Sequence, residues 1–469
     1  MRYTTADFQS EEGRDIPYLV LSLSTSTSTS TPPFCNLSPN KLRIWIQGST
    51  HGDEPASEQS ILAFLGNLDS NPGHARSLLQ NLDILILPRY NPDGVAYFQR
   101  RFATNFDPAR DHIKFRSETT RHIKALFNTF APHVAVDMHE FSAKARYAER
   151  YVRVLDGQFA VGKNLNIHAD IRRLADDVFG SAIGAALDAK GLRWAPYSTG
   201  SGGGGRGSAA DDDDKDGDTD GGRLRFSEAG GEACIARNAW GLTQAVVILC
   251  ETRGIGIADQ HFKRRTFTGL TMLEAVVDTA AKRANGIRAE VERPARAFVH
   301  SREDIIVTDS PKTLNCSLPF VDLHGEGLVN VPSILESSTP LTPQITRTRP
   351  QAYLIPRAWG ELIPRLSANG IQINALDHAF VGEVEVLQVT SVKLEHEYHE
   401  GAVRAKVRTK PLRKSVHLPI GSFRVSTVQK HAALAFMALE PEAVDSFAAM
   451  GIIPLVPGDE YPVWRVLWD

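Results

Sequence analysis

Short apolar runs recur along the first half of the chain and alternate with segments of helical periodicity. One of them, Leu82–Leu87, ends at a proline and is typical of a strand buried on both faces of a sheet. Similar strand signals lie at Leu42–Ile46, His133–Met138 and Thr243–Cys250, and helical segments lie at Ala56–Leu68, Glu118–Phe130, Ala169–Lys190 and Asp259–Asn285. This alternation predicts an α/β fold in which a mixed, largely buried sheet is flanked by helices.

The composition excludes several classes of protein. The chain has 469 residues, 42% hydrophobic and 23% charged, which is enough for a large core and more than one domain. A formal net charge of −3 gives no field that favours nucleic acid, and no apolar run has the length of a membrane span. The N-terminal residues lack the apolar segment of a signal peptide, so the chain as written is expected in the cytoplasm. An extracellular location is expected if the gene start is truncated.

The sequence changes character near residue 297, where short strand-like runs replace the alternating pattern. We therefore expect an α/β domain at 1–296 and a second, mainly β domain at 297–469. Residues 198–222 are rich in glycine and aspartate and are expected to form a disordered surface insertion. Expectations for single segments are a turn at Asn91–Gly94, a strand at Phe298–His300, a solvated hairpin tip at Glu395–Glu400, and helices at Ala432–Leu439 and Ala443–Met450.

Three potential metal ligands follow predicted strands. His51 and Glu54 lie in the loop between the strand at 42–46 and the next helix, and His139 follows the strand at 133–138. The carboxyl ends of strands in such a sheet meet at one edge, so these side chains are expected to lie together. Two histidines and a glutamate, with water in the fourth position, form an open catalytic zinc site. Either Asp137 or Glu140 is expected to orient His139 through a hydrogen bond.

Three further charged residues fit a hydrolytic site. Glu251 follows the apolar strand at 243–250, where surroundings of low dielectric suit a carboxylate that transfers protons. Arg100 and Arg110 follow the predicted turn at 91–94, and a fixed guanidinium stabilises an oxyanion or holds a terminal carboxylate. Each of these residues alone is also compatible with an ordinary exposed loop, so the interpretation depends on their order in the chain.

That order is specific. The chain contains, in succession, His51-Gly52-Asp53-Glu54-Pro55, Asn91-Pro92-Asp93-Gly94, Arg100, Asp107-x-x-Arg110-Asp111, Asp137-Met138-His139 and Glu251-Thr252-Arg253-Gly254. Over residues 1–295 this arrangement resembles the zinc metallocarboxypeptidase family (carboxypeptidase A-like). The resemblance implies a catalytic domain with a mixed eight-stranded sheet, one Zn²⁺ per chain, and hydrolysis of the C-terminal peptide bond of peptides.

The resemblance also implies a role for each residue. The zinc ligands would be His51, Glu54 and His139, and the general base and acid would be Glu251. The oxyanion would be stabilised by Arg100, which fits the family's spacing better than Arg101. The C-terminal carboxylate of the substrate would be bound by Arg110.

Two departures from the family concern substrate binding. Ala109 stands where the family usually has an asparagine, so one hydrogen bond to the terminal carboxylate is missing. The tyrosine that caps the substrate has no clear counterpart, and Phe226 or Tyr197 would take its place. A zinc amide deacylase acting on acyl-amino acids, or a cell-wall peptide hydrolase, is therefore an alternative. A further alternative is an inactive binding protein, against which the complete ligand set and Glu251 argue.

Overall fold

A computed structural model describes residues 2–23, 37–200, 219–220, 222–325 and 327–468. The strands, in chain order, are β1 (Arg2–Gln9), β2 (Asp15–Leu21), β3 (Leu42–Gln47), β4 (Leu82–Leu87), β5 (Val134–Ser142), β6 (Arg146–Tyr147), β7 (Tyr151–Arg153), β8 (Gly157–Val161), β9 (Trp194–Pro196), β10 (Ser198–Gly200), β11 (Thr219–Asp220), β12 (Arg223–Glu228), β13 (Val246–Ile255), β14 (Ile305–Asp322), β15 (Gly327–Arg347), β16 (Ala352–Ile355), β17 (Asn374–Ala375), β18 (Phe380–His399), β19 (Ala402–Leu418), β20 (Phe423–Ser426) and β21 (Trp464–Val466).

The helices are interspersed mainly among the first strands. They are α1 (Pro55–Ser70), α2 (Pro72–Asn81), α3 (Pro92–Tyr97), α4 (Glu118–Phe130), α5 (Ala169–Arg173), α6 (Ser181–Ala189), α7 (Ala236–Gly241), α8 (Phe262–Lys282), α9 (Ala284–His300), α10 (Leu362–Ala368) and α11 (Ala432–Leu439). A π-helical segment, Leu174–Gly180, connects α5 to α6, and short 3-10 helices lie at Pro108–Arg110 and Arg357–Trp359. Within the described ranges, every helix is too short or too polar to cross a membrane.

The largest sheet has eight strands in the order β1-β2-β4-β3-β5-β13-β8-β9. Its central strands β4, β3, β5 and β13 run parallel, and antiparallel pairs join β1 to β2, β2 to β4 and β13 to β8. Helices α1, α8 and α9 pack against β5, β13 and β3, respectively. This architecture confirms the predicted α/β fold with a mixed sheet and flanking helices.

The central strands form because both of their faces are buried. Every residue of β4 is buried, and its one charged side chain, Asp83, lies 3.5 Å from the Nζ of Lys41. On β3, the indole of Trp45 contacts two aromatic rings edge-on, Phe127 of α4 at 5.4 Å and Trp240 of α7 at 6.0 Å between ring centroids. These aromatic contacts fix two helices to the same strand.

Polar caps in the sequence determine where helices begin. The Oγ of Ser117 accepts a hydrogen bond from the backbone N–H of Thr120 at 3.3 Å and starts α4. In the same way, the Oδ1 of Asn91 accepts from the N–H of Gly94 at 2.9 Å, with Pro92 at the first helical position. The predicted turn at Asn91–Gly94 is therefore wrong, because the segment caps and begins α3.

Two further sheets occupy much of the remaining chain. One has seven strands, in the order β10-β12-β15-β14-β7-β6 with β11 beside β12, and the other has six, β17-β20-β16-β21-β18-β19. The β-rich character expected after residue 297 is thus present. However, the long hairpin β14–β15 pairs with β7 and β12, which belong to the preceding part of the chain. The division into domains at 1–296 and 297–469 stays a prediction.

Three further single-segment predictions are corrected by the structure. Phe298–His300 forms the last turn of α9 rather than a strand, because Phe298 continues the apolar face that Ile287 and Val291 bury. The expected disorder of 198–222 does not hold for Ser198–Gly200, which form β10 and pair with β12. Residues 201–218 and 221 of that predicted insertion lie outside the described residues.

The third correction concerns Ala443–Met450, which forms irregular turns instead of the expected helix, whereas Ala432–Leu439 is helical as predicted. The hydroxyl of Ser446 donates to the carbonyl of Pro441 at 3.1 Å and accepts from the N–H of Ala449 at 3.0 Å. Such local side-chain bonds offer the backbone an alternative to the helical ladder, and here they prevail.

The loop after β3 packs so closely on α3 that it requires a glycine. The N–H of Gly52 donates to the carbonyl of Gln99 at 3.0 Å, and a Cβ built on Gly52 would collide with the backbone of Gly94. The loop that carries His51 and Glu54 is therefore held against α3 by direct backbone contact.

We expect Gly52→Ala to lower the free energy of unfolding by about 1–3 kcal/mol, because the backbones must separate to admit a methyl group. The urea midpoint of unfolding measures this change. The control is Gly66→Ala on α1, where an added Cβ meets no atom within 4 Å and an increase of roughly 0.5–1 kcal/mol is expected. An unchanged midpoint for Gly52→Ala would contradict the close contact.

Candidate active site

Strands of the large sheet bring the polar residues to one edge. β5 and β13 are parallel neighbours, and His139 on β5 lies directly opposite Glu251 on β13. His51 and Glu54 lie in the loop from β3 to α1, with Glu54 immediately before the helix. Both β5 and β13 run further than predicted, so His139 and Glu251 lie within the strands rather than beyond their ends.

Two imidazoles and one carboxylate converge at this edge. The Nδ1 of His51 lies 2.6 Å from the Oε1 of Glu54, and the Nδ1 of His139 lies 3.0 Å from the Oε2 of the same carboxylate. The two Nδ1 atoms are only 3.1 Å apart, and all three side chains are buried. Nitrogen and oxygen donors that share so small a space are the donor set of a zinc site, and the three residues fit a metal ion.

The opposite nitrogen of each imidazole is held by a carboxylate. The Nε2 of His51 lies 3.1 Å from the Oδ1 of Asp107, and the Nε2 of His139 lies 3.0 Å from the Oδ2 of Asp137. A proton donated from Nε2 to a carboxylate leaves the Nδ1 lone pair of each ring facing the other ligands. Carboxylates in this position orient metal-binding histidines and make them more basic.

The alternative between Asp137 and Glu140 is thereby settled by geometry. Asp137 contacts His139, and its other oxygen accepts a hydrogen bond from the Nε2 of Gln47 at 2.9 Å. Glu140 lies elsewhere and binds the Nη2 of Arg265 at 2.6 Å. Asp137 is therefore the hydrogen-bond partner of His139.

The carboxylates of the site remain ionised despite their burial. Burial opposes the ionisation of Glu54, but His51 and His139 lower its pKa below the ordinary value. Burial likewise opposes the ionisation of Asp107, but the charge of Arg100 and the contact with His51 hold the pKa of this carboxyl well below its usual range. Glu54 therefore offers an ionised carboxylate, which is the form that binds a metal cation.

Two arginines border the ligands. The Nη1 of Arg100 lies 3.3 Å from the Nδ1 of His51 and 3.4 Å from the Oε1 of Glu54, and its Nη2 donates to Asp107 at 3.0 Å. The Nε of Arg110 lies 3.4 Å from the same carboxylate of Asp107. Asp107 therefore contacts both arginines and His51, one of the three potential metal ligands. Ala109, beside Arg110, offers only a methyl group to the cavity.

A cavity of about 1280 Å³ connects these residues. Most of the predicted site residues line it, namely His51, Glu54, Arg100, Arg110, His139, Tyr197 and Glu251. The carboxylate of Glu251 therefore shares one solvent space with the ligands, as a general base must. The catalytic roles of Glu251 and Arg100 stay predictions.

Phe226 is the exception and requires a correction. Its ring is fully buried against Tyr147 and Phe320, with centroids 5.0 and 5.7 Å away, and the guanidinium of Arg153 covers it at 4.6 Å. Because Phe226 occupies a buried position of β12, it does not reach the cavity. Tyr197 lines the cavity and stays the candidate for a substrate contact.

A contact missed by the sequence comes from the hairpin β18–β19. Its tip was expected to be solvated, but Glu400 is buried, and its Oε2 accepts from the N–H of Asp107 at 2.9 Å. Its Oε1 binds Arg101 at 2.8 Å, and its carbonyl accepts from the Nζ of Lys114 at 2.6 Å. Glu400 is 293 residues from Asp107, so no local sequence signal links them.

With this geometry in view, comparisons with known proteins define the family. A sequence profile of the zinc carboxypeptidase family matches residues 4–150. Carboxypeptidase 2 of Trichophyton rubrum is 46% identical over 99% of this chain and 83% of its own length, and carboxypeptidase 2 of Trichophyton equinum has the same identity and coverage. A metallo-carboxypeptidase from Burkholderia cenocepacia has a TM-score of 0.41 at 16% identity, over 60% of this chain and 65% of its own. The chain belongs to the zinc carboxypeptidase family and is a metallopeptidase, which confirms the predicted class of enzyme.

We expect Asp107→Asn to weaken zinc binding by about 10–100-fold, because a neutral amide orients His51 less firmly and no longer raises its basicity. Competition with a chromogenic chelator measures the dissociation constant. The control is Asp156→Asn, which removes a carboxylate bound by the exposed Arg264 at 2.6 Å and leaves the site untouched. Equal zinc affinity in the Asp107 and Asp156 variants would show that Asp107 does not support the ligand.

We also expect Glu400→Gln to lower the free energy of unfolding by about 1.5–3 kcal/mol, since it weakens buried, charge-assisted hydrogen bonds. Zinc affinity should fall as well, because Asp107 loses its anchor. The control on the same hairpin is Glu383→Gln, whose pair with Arg413 is exposed and is worth about 1 kcal/mol or less. A stability loss without any change in zinc affinity would limit Glu400 to a purely structural role.

Proposed function

We propose that one Zn²⁺ is held by His51, Glu54 and His139, and that the enzyme hydrolyses the C-terminal peptide bond of peptides. One observation carries the proposal. The Nδ1 atoms of His51 and His139 and the carboxylate of Glu54 face a common point, while the Nε2 atom of each imidazole contacts a different carboxylate. A loop that was merely polar would not need two oriented imidazoles in contact. Coordination of a metal accounts for both their closeness and their orientation.

The proposed chemistry distributes proton transfer and charge among residues of the cavity. Zinc, when bound, polarises the scissile carbonyl and lowers the pKa of the attacking water. Glu251 takes a proton from that water and delivers it to the leaving amine. Arg100 donates N–H groups to the oxyanion, since it already lies beside the ligands and is held in place by Asp107.

Substrate orientation is assigned to the other arginine. Arg110 is anchored on one side by Asp107, and its remaining N–H groups bind the terminal carboxylate of the peptide. Ala109 contributes no hydrogen bond, so recognition of this carboxylate depends more heavily on Arg110. Tyr197 supplies an additional contact to the substrate from the cavity wall.

The proposal is tested with pairs of peptides that differ only at the C-terminus. Peptides with a free carboxylate should lose one residue, and amidated versions should react about 10–100-fold more slowly, because Arg110 loses a charge-assisted partner. Mass spectrometry of the products identifies the bond that is cut.

The matched control is Glu251→Gln, which should keep zinc and lose about 10²–10⁴-fold in rate. Equal rates on free and amidated peptides would contradict C-terminal hydrolysis. Release of acyl groups from acyl-amino acids, with peptides left intact, would favour the deacylase alternative. Full turnover by Glu251→Gln would remove this residue as the base.

A further inference from the structure

A further basic residue, Arg237, lines the cavity from helix α7. Arg237 lies in the first turn of α7, whose six residues are all buried. It lines the same cavity as Arg110 and Glu251, and only 4% of the residue is exposed. This arginine has no part in the proposed hydrolytic steps, so its presence there needs a separate explanation.

The guanidinium of Arg237 is incompletely satisfied. Its Nη2 donates to the carbonyl of Gly230 at 2.6 Å, and its Nε has no hydrogen-bond partner within the described ranges. Glu232 also lines the cavity and attracts Arg237, but no ion pair within 4 Å joins Arg237 to a carboxylate in the described part of the chain. Burial accordingly lowers the pKa of Arg237. A buried cation in this state is costly unless a partner arrives from outside.

Two other buried arginines in this fold have more partners than Arg237. Arg265 is paired with Glu140 at 2.6 Å. The Nε of Arg349 also lacks a hydrogen-bond partner within the described ranges, but both of its terminal nitrogens donate, to the carbonyls of Phe298 and Thr427, and it lies over the ring of Phe298 at 4.7 Å. Neither lines the cavity. Arg237 combines a weaker set of partners with a position beside open solvent space.

The geometry points to Arg237 as the residue that recognises the side chain of the substrate's C-terminal residue, with a preference for glutamate or aspartate. This inference rests on the proposed function. A peptide that ends in an acidic residue carries two carboxylates close together, and Arg110 and Arg237 offer one guanidinium for each. Arg110 takes the terminal carboxylate and Arg237 takes the one on the side chain, while Glu251 lies in the same cavity for proton transfer.

The test compares N-terminally blocked peptides that are identical except for the last residue, which is Glu, Gln, Asp, Leu or Lys. Glutamate and glutamine have nearly the same shape and differ in charge, so their ratio of kcat/KM isolates the contribution of the cation. The wild-type enzyme should prefer Glu over Gln by about 10–100-fold. In Arg237→Met this ratio should fall to near one, mainly through loss of kcat/KM on the acidic peptides.

The control is Arg253→Met. Arg253 also lines the cavity, but its Nη1 and Nη2 both donate to carbonyls, those of Arg153 and Ala143, at 3.0 Å. This variant should keep the wild-type preference for Glu over Gln.

Several results would overturn the inference. The first is that the wild-type enzyme cleaves peptides ending in Gln or Leu as fast as peptides ending in Glu. This comparison does not depend on whether a variant folds. An equal loss of kcat/KM on Glu, Gln and Leu peptides in Arg237→Met would show that Arg237 binds the terminal carboxylate or only supports the fold. If zinc-loaded wild-type enzyme cleaved none of the peptides, the proposed function itself would fail.

Discussion

The contact between two buried imidazoles is the constraint on which the active site depends. The Nδ1 atoms of His51 and His139 lie 3.1 Å apart, and both face the carboxylate of Glu54. This arrangement is stable in a buried site only when the proton of each ring is on Nε2. Asp107 and Asp137 meet that condition by accepting from the Nε2 atoms. One of these carboxylates lies on β5 itself and the other on a distant loop. The site therefore needs both the sheet and its surroundings to form.

Asp107 is the point at which distant parts of the chain meet. It binds His51 and Arg100 through its side chain, and its backbone N–H is held by Glu400. The same glutamate binds Arg101, the residue that follows Arg100, and Arg101 does not line the cavity. The hairpin β18–β19 supplies no metal ligand, yet its tip fixes the segment that orients one. Catalytic geometry in the first part of the chain thus depends on a buried contact from the last part.

The sequence predicted those features that follow from local periodicity. Apolar runs reveal the parallel strands and their shared edge, so the sequence alone predicts that His51, Glu54, His139 and Glu251 lie together. The alternation of side chains along a strand also separates Asp137, two residues before His139, from Glu140 on the opposite face. This alternation favours Asp137 over Glu140 as the partner of His139.

Other features could not be predicted because they arise only when distant segments pack. Phe226 has an aromatic ring that could contact a substrate. However, the pairing of β12 with β15 places this ring in a buried aromatic cluster. The polar neighbours of Glu400 in sequence predict an exposed residue, and only the docking of the hairpin buries it.

Metal binding and substrate selection depend on different parts of the fold. The ligands are fixed by the register of β5 and β13 and by the close contact of Gly52 with α3, so their positions tolerate little variation. Another part of the cavity wall is built by α7 and the turn before it, where the carbonyl of Gly230 accepts hydrogen bonds from both Arg237 and Asn238. A change in this wall alters charge without moving the ligands. The incompletely satisfied Arg237 therefore lies where specificity can change while the hydrolytic chemistry is preserved.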